Sequence, residues 1–361
     1  MKTIKRLAAA LFVAVMILSF ASCKETSYAA TYAGEEISSG IYSCFVLDAY
    51  SDAQSNGYIK GGESLKDMTI DALDGMKVTE YIENLAKENT QRYIAVLAKF
   101  NDVGFKLEGE EYQQNVELAK QNYAAKKDVF SANGIGEDSF VKVLADHSTR
   151  VSMLFNAKYG EEGTDPVSDE ELITYLEENF AKVNFIYFIA VDPDSQEGAD
   201  LPSDHKDIKN IEIEFKDIKS RVDKKKLDFA KFCETYGEQD PTYRTGGQIG
   251  QIIQKSETDE ISKAIFSTKV GKTNYFSDGN QYMLIQRIAI DDKEHSFMKS
   301  QRAGLVSLLN RDDFLNELLE YGKSLDIVMN EDAFSQFSIE NAKLEGYTSL
   351  ITVEQSASAS E

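Results

Sequence analysis

Leu227–Gly250, LDFAKFCETYGEQDPTYRTGGQIG, decides how this chain is read. Leu227, Phe229, Ala230, Phe232 and Cys233 recur at helical spacing, so the segment opens as a helix with one apolar face. A polar loop follows. Gly246-Gly247 then supplies backbone freedom where a chain turns sharply or packs closely, and reads as a turn feeding a short apolar segment. Upstream, VNFIYFIAVD from Val183 is a β-type apolar run bounded by the Pro193 loop. Downstream, Ile261–Phe266 reads as a short helix and Gly271–Ile290 as hairpin-like β structure. Strand, helix, short helix and strands within 183–290 predict a compact α+β domain.

Outside that span the periodicity is helical. Helices are expected from Ser39 to about Ala53, over Leu65–Phe100, Glu110–Ala132 and Glu137–Tyr159, and over Ser168–Lys182. Ser168-Asp169-Glu170-Glu171 fits a capping box, Ser168 accepting from the backbone and Glu171 reaching back. Asp194–Lys209 reads as a polar loop, followed by a basic helix through Lys224-Lys225-Lys226. Ser296–Tyr321 is helical again, with Ile327-Val328-Met329 packing beside it. Glu25–Tyr32 reads as a tether, and the tail ends in the low-complexity EQSASASE. The predicted organisation is a signal peptide over 1–22, a helical domain over 23–182, the α+β domain over 183–290, C-terminal helices over 291–345 and a disordered tail over 346–361. The predicted fold class is therefore α+β, a helical domain with an inserted α+β domain.

The formal charge of −22 speaks about partners. Residues 1–22 hold Lys2, Lys5 and Arg6 and no acid, so without them 36 basic residues face 61 acidic ones, or −25. Such acidity argues against nucleic acid and against adhesion to anionic lipid. The span 183–290 holds 15 basic and 18 acidic residues, so the acidity belongs to the helical regions. The N-terminus reads as a targeting segment. A positive n-region precedes the apolar and small run Leu7–Ala21, too short to span a bilayer, which needs about 20 apolar residues. It ends in Phe20-Ala21-Ser22-Cys23, which resembles a bacterial lipobox although Phe20 replaces the usual Leu; Cys23 would be the lipidated residue. Cys44 and Cys233 sit on apolar helix faces in different predicted domains and read as buried free thiols. His147, His205 and His295 do not cluster, so no metal is expected, and no cofactor. Gly271-Lys272-Thr273 lacks the upstream glycine of a phosphate loop.

The order helix, polar loop, Gly-Gly turn resembles the centre of the parvulin family of peptidyl-prolyl isomerases. Exported, helical, with an inserted α+β domain and a returning helix, the chain resembles the PrsA-type foldases and their SurA-like relatives. The resemblance implies that the N- and C-terminal helices pack as one chaperone domain around the insertion. It places Tyr187 where the first strand carries a histidine, and Tyr282 nearest the histidine of the last strand. The loop Cys or Asp falls on Asp240, with Gln239 as neighbour. Counting on from the turn, Ile249 matches the pocket Leu, Glu257 a usual Met, Ile261 a usual aromatic and Phe266 the Phe before Lys/Arg-x-Gly.

By this resemblance Tyr187, Asp240 and Tyr282 are the candidate catalytic residues. Ile249, Glu257, Ile261 and Phe266 would line the substrate groove. The implied function is a foldase of the extracytoplasmic side, lipid-anchored to the membrane at Cys23. It would act on unfolded or proline-containing secreted polypeptides, and the resemblance allows a homodimer. With both family histidines replaced by tyrosine, two alternatives stay open: an isomerase of the parvulin type, or a holdase whose parvulin-like domain only binds peptides. A solute-binding lipoprotein is a third, disfavoured because the helical half does not supply two α/β lobes.

Overall fold

A computed structural model describes residues 28–60, 64–189, 206–236, 244–278 and 281–350. The chain divides into two compact units. Unit 1 comprises 1–158 and 311–361, and unit 2 comprises 159–310. Cys23 and Asp240, with Gln239, lie outside the described residues.

Unit 1 begins with two antiparallel strands, β1 (Tyr28–Tyr32) and β2 (Glu35–Ser38). The expected tether therefore gives way to a strand from Tyr28. Helix α1 (Ser39–Ser55) starts where the Ser38 hydroxyl accepts from the Gly40 N–H at 3.1 Å. It buries Ile41, Tyr42, Cys44, Phe45, Val46, Leu47 and Ala49, so it runs through the core rather than along its edge. The helix expected over Leu65–Phe100 is shorter than its pattern. Strands β3 (Thr69–Ile70) and β4 (Met76–Lys77) form a small antiparallel hairpin, and α2 begins only at Val78, running to Val103. Asp74 and Gly75 both take positive φ there, the turn chemistry an Asp-Gly pair favours over continued helix. Gly104 (φ 73°) ends α2 in the left-handed conformation. Helices α3 (Glu110–Ala125), α4 (Lys127–Ala132) and α5 (Glu137–Val141) follow. A π turn over Lys142–His147 then leads into α6 (Ser148–Tyr159).

Unit 2 opens with α7 (Asp169–Asn179), whose capping box forms as expected. Ser168 Oγ accepts from the Glu171 N–H at 3.2 Å, and Glu171 accepts from the Ser168 N–H at 2.9 Å. Strand β5 (Phe180–Ile189) follows directly, three residues ahead of the expected start. After it come α8 (Lys206–Asp223), α9 (Phe229–Thr235), β6 (Arg244–Gln254), α10 (Glu260–Ser267), β7 (Thr273–Ser277) and β8 (Gln281–Ile288). The four strands make one antiparallel sheet in the order β6-β5-β8-β7. One face packs Ile186, Phe188, Tyr282 and Leu284 against Ile211, Phe215 and Ile218 of α8 and Phe229 and Cys233 of α9. The other packs Ala181, Val183, Met283 and Ile285 against Ile265 of α10. Gly246-Gly247 is not a turn but lies inside β6. A Cβ on Gly247 would stand 2.5 Å from the Cβ and 2.6 Å from the Cα of Cys233, so the absent side chain is what lets α9 lie against the strand. The left-handed residue is Gly250 (φ 66°), at an irregularity in the pairing. Its N–H donates to buried Asn184 Oδ1 at 2.9 Å, and Asn184 Nδ2 donates to Gln286 at 3.1 Å.

Helices α11 (Ser296–Ser300) and α12 (Arg302–Ser324) carry the chain back to unit 1. There β9 (Ile327–Met329) pairs antiparallel with β1, so the segment expected merely to pack beside a helix completes a sheet of order β2-β1-β9. Asn330 fixes the junction by donating to Tyr28 O at 2.8 Å, and α13 (Glu331–Gln336) follows. The tail expected to be disordered from 346 is ordered through Leu350. Tyr347 and Leu350 are buried, and the Tyr347 hydroxyl donates to Leu47 O at 2.9 Å. The tail motif itself, EQSASASE, lies outside the described residues. Cys44 and Cys233 are buried free thiols.

Candidate functional site

Those predicted site residues that the structure describes fall on the sheet of unit 2 and its surroundings, and alternation along the strands decides which can meet. Tyr187 stands opposite Met283 on β8 and Thr245 on β6. It shares the α10 face with half-buried Phe185, Ile253, Ile261, Phe266 and Phe276 around buried Val183, Ile265 and Met283. Its ring lies 6.1 Å from that of Phe185. The structure thus brings Tyr187, Ile261 and Phe266 to one surface. Arg287 stacks over the Phe266 ring at 5.1 Å and donates to Phe266 O at 3.2 Å, framing one end of it.

Tyr282 is not on that surface. It pairs with Phe188, points to the opposite face and is buried in the α8–α9 core, its ring 6.0 Å from Phe188 and 6.4 Å from Tyr275. Burial there pushes its hydroxyl pKa up. Tyr187 and Tyr282 therefore do not converge. A single residue of register separates them, because successive strand residues point to opposite faces. The residue that does face Tyr187 across β5 and β8 is Met283, which the sequence reading passed over in favour of its aromatic neighbour. Phe185 and Phe276 were also missed. Counting alternate residues from Tyr187 along the strand finds Phe185, whereas Met283 and Phe276 need the pairing itself.

The other groove candidates sit apart from this cluster. Ile249 is 40% exposed beside the Gly250 irregularity. Glu257 is exposed and pairs with Lys255 at 2.8 Å, which holds its carboxyl below the usual range. The charge near the surface is thus neutralised locally, as it is for Lys263 with Glu260 at 2.7 Å. Among the described residues no group of three His, Cys, Asp or Glu side chains is placed to hold a metal. The α10 face offers an apolar, aromatic floor with one phenol and a thioether opposite it. Such a surface can grip an apolar ring and offer one hydrogen bond.

Residues 189–276 match the model of the rotamase family, described as a PPIC-type PPIase domain. Asp240, Ile249, Glu257, Ile261 and Phe266 fall within that span, whereas Tyr187, Tyr282 and Met283 lie just outside it. No curated protein matches the sequence. Among solved structures, the chain is similar to the foldase protein PrsA of Lactococcus lactis, at 14% identity over 88% of this chain and 99% of that one, with a TM-score of 0.33. It is also similar to the foldase protein PrsA of Streptococcus pneumoniae (13%, 76% and 99%, TM-score 0.31). PrsA of Bacillus subtilis is a third (16%, 76% and 98%, TM-score 0.24). Unit 2 carries, over residues 189–276, a PPIC-type PPIase domain of the rotamase family.

Proposed function

We propose that this chain is an extracytoplasmic foldase that binds unfolded, proline-containing secreted polypeptides. In this reading the helical unit 1 holds the client and the α10 face of unit 2 receives X-Pro segments. The PPIC-type match over 189–276, on a sheet whose one half-exposed face is apolar and aromatic, is the observation that carries it. Isomerisation requires little covalent chemistry. The barrier of about 18–20 kcal/mol reflects lost amide resonance, so a dry grip on the ring and a polar group at the twisted amide lower it. Tyr187 is the group on this face that would serve the amide.

A second reading, that the domain binds peptides without accelerating them, is favoured by one feature. The position across the strands from Tyr187 is Met283, which brings no strong hydrogen-bonding group. Refolding of a proline-limited protein, run beside an aggregation assay, separates the two. Acceleration above background supports the enzyme, and suppressed aggregation without acceleration supports the holdase. If neither rate nor aggregation changes, the foldase reading fails. Installing two imidazoles with Tyr187→His and Met283→His should raise the rate, by up to ~10²-fold on the scale of one restored polar group.

Membrane attachment is part of the proposal and rests on the Phe20-Ala21-Ser22-Cys23 sequence. Among the described residues no helix is long and apolar enough to cross a membrane. Cys23→Ser should release the chain from membranes and abolish lipid labelling. Sedimentation velocity distinguishes a monomer from the homodimer that the resemblance allows.

A further inference from the structure

An edge strand presents a row of main-chain N–H and C=O groups, and folds blunt it with charge, proline, brevity, a bulge or a cover. Several edges of this chain are blunted in those ways. Strand β2 has four residues, of which Glu35 and Glu36 are charged and exposed. Strand β9 has three residues. In unit 2, β7 has five, and Lys219 Nζ donates to Thr273 O at 2.7 Å.

Strand β6 is different. It runs for eleven residues, Arg244–Gln254, at the end of the sheet, and among the described residues it pairs with β5 alone. From Thr245 to Gln254 the sequence TGGQIGQIIQ holds no charged residue and no proline. The irregularity at Gly250 interrupts the edge, but Gln251–Gln254 beyond it is regular, each residue facing one of Val183 to Phe180. Gln251, Ile252 and Gln254 are exposed. Gln251 Nε2 approaches Ile249 O only at 3.5 Å, too long to replace a ladder bond. The Lys255 N–H donates to Asn179 O at 2.8 Å, which fixes the end of the strand.

An occupant of this edge must bring main-chain donors and acceptors, because β6 offers no charge for recognition. A second copy of β6 could bring them. The formal charge of −22 on each chain opposes that pairing, and edge-to-edge contact buries far less than the about 1,200–2,000 Å² of a stable interface. An extended segment of an unfolded polypeptide needs only a transient contact, for which a short ladder suffices. The edge is also continuous with the candidate site. Ile253 packs in the cluster of Tyr187, Ile261 and Phe266, whereas its neighbour Ile252 stands opposite Lys182 on the other face. A strand added beside β6 would thus lay every second side chain along the face that carries Tyr187.

We propose that the outer edge of β6, centred on Gln251–Gln254, takes an extended segment of an unfolded polypeptide as a fifth strand of the sheet. Recognition is through the main chain of the segment rather than its charge. The choice of occupant rests on the foldase reading.

The test uses the full chain and a fluorescent, end-capped peptide of alternating Thr and Val, followed by anisotropy. N-methylation at two adjacent central residues removes a donor from each edge of the peptide but keeps its side chains, and should weaken binding at least about tenfold. Added salt should change the affinity less than about twofold. Ile252→Lys and Gln254→Lys, both at exposed positions, each place a charge on the edge and should weaken binding about tenfold. Ile252→Thr should retain it, and an unchanged urea midpoint shows that each variant is folded. Equal binding of the methylated peptide, no binding of either peptide, or indifference to both lysines overturns the proposal. So does a dimer in sedimentation velocity that Ile252→Lys dissociates, because a second copy would then be the occupant. Refolding and aggregation assays read the foldase function separately, so the edge can fail as a peptide site while that reading stands.

Discussion

Gly247 shows how little room a single position has. Its missing side chain leaves the space that the Cys233 Cβ, Cα and carbonyl fill, at 2.5–2.8 Å from where a Cβ would stand. Backbone atoms cannot swing aside as a flexible side chain can. Gly247→Ala should therefore push α9 off β6 and cost about 1–3 kcal/mol, read as a lower urea midpoint for unit 2. His147 makes a second prediction at this scale. Its ring is packed 5.2 Å from Tyr93 and 6.3 Å from Phe45, and burial, then the Arg150 and Arg92 charges, lower its pKa to about 3. Above pH 6.5 the ring is neutral both folded and unfolded. Below that the unfolded chain takes up a proton the folded ring refuses, so stability should fall between pH 6.5 and about 3. His147→Phe should flatten that part of the pH–stability curve, measured by thermal unfolding. The residue scale is also where the sequence was least legible. Tyr187 and Ile261 could be read as neighbours of a groove, but the choice between Tyr282 and Met283 depends on a one-residue register that the strand's own letters do not fix.

Elements were legible where their end signals are local. The capping box at Ser168 and the helix over Ser39–Ser55 follow from short-range chemistry. The start of α2 was misjudged because Ile70, Leu73 and Met76 continue a helical spacing, while Asp74-Gly75 imposes a hairpin turn. Strands β1 and β9 were missed for another reason. A two- or three-residue ladder whose partner lies hundreds of residues away leaves no periodicity to detect. Asp291 illustrates an element held by one carboxylate. Burial pushes its pKa up, but the N–H groups of Met298, Phe297 and Asp292, at 2.8, 2.9 and 2.8 Å, outweigh this and hold it below the usual range. A depressed carboxylate pKa contributes stability above about pH 4 that is lost as pH falls through the folded-state value. Asp291→Ala should therefore destabilise unit 2 at pH 7 and narrow its difference from the parent chain in acid. Ser168→Ala should cost about 1 kcal/mol through the lost cap, seen as a lower melting temperature of unit 2.

At the scale of the whole molecule the chain makes two cores. Unit 1 buries residues from both termini, such as Tyr42 against Phe334 with ring centroids 4.5 Å apart, whereas the two clusters on the faces of the unit 2 sheet are built, among the described residues, from residues between 181 and 285. Calorimetry should show two transitions, one of which coincides with that of residues 159–310 expressed alone. A single transition shared by the full chain, with the excised span unfolded, would contradict this. The α+β character of the insertion was visible in the alternation from helical to β-type texture. The extent of unit 2 was less so, since α7, α11 and the first part of α12 carry the same amphipathic texture as the helices of unit 1. Nothing in an apolar stripe says which core it joins.

The ladder between β1 and β9 also sets a schedule. Tyr28 and Asn330, joined by a hydrogen bond, stand 302 residues apart. In N-to-C order of emergence, from the ribosome or across the membrane that the proposed function implies, the first strand waits for its partner until the intervening chain has followed. All of residues 159–310 emerge during that interval, so unit 2 can fold while β1 still shows one unpaired edge. A newborn chain of this kind is most vulnerable at its beginning, and its protection arrives last.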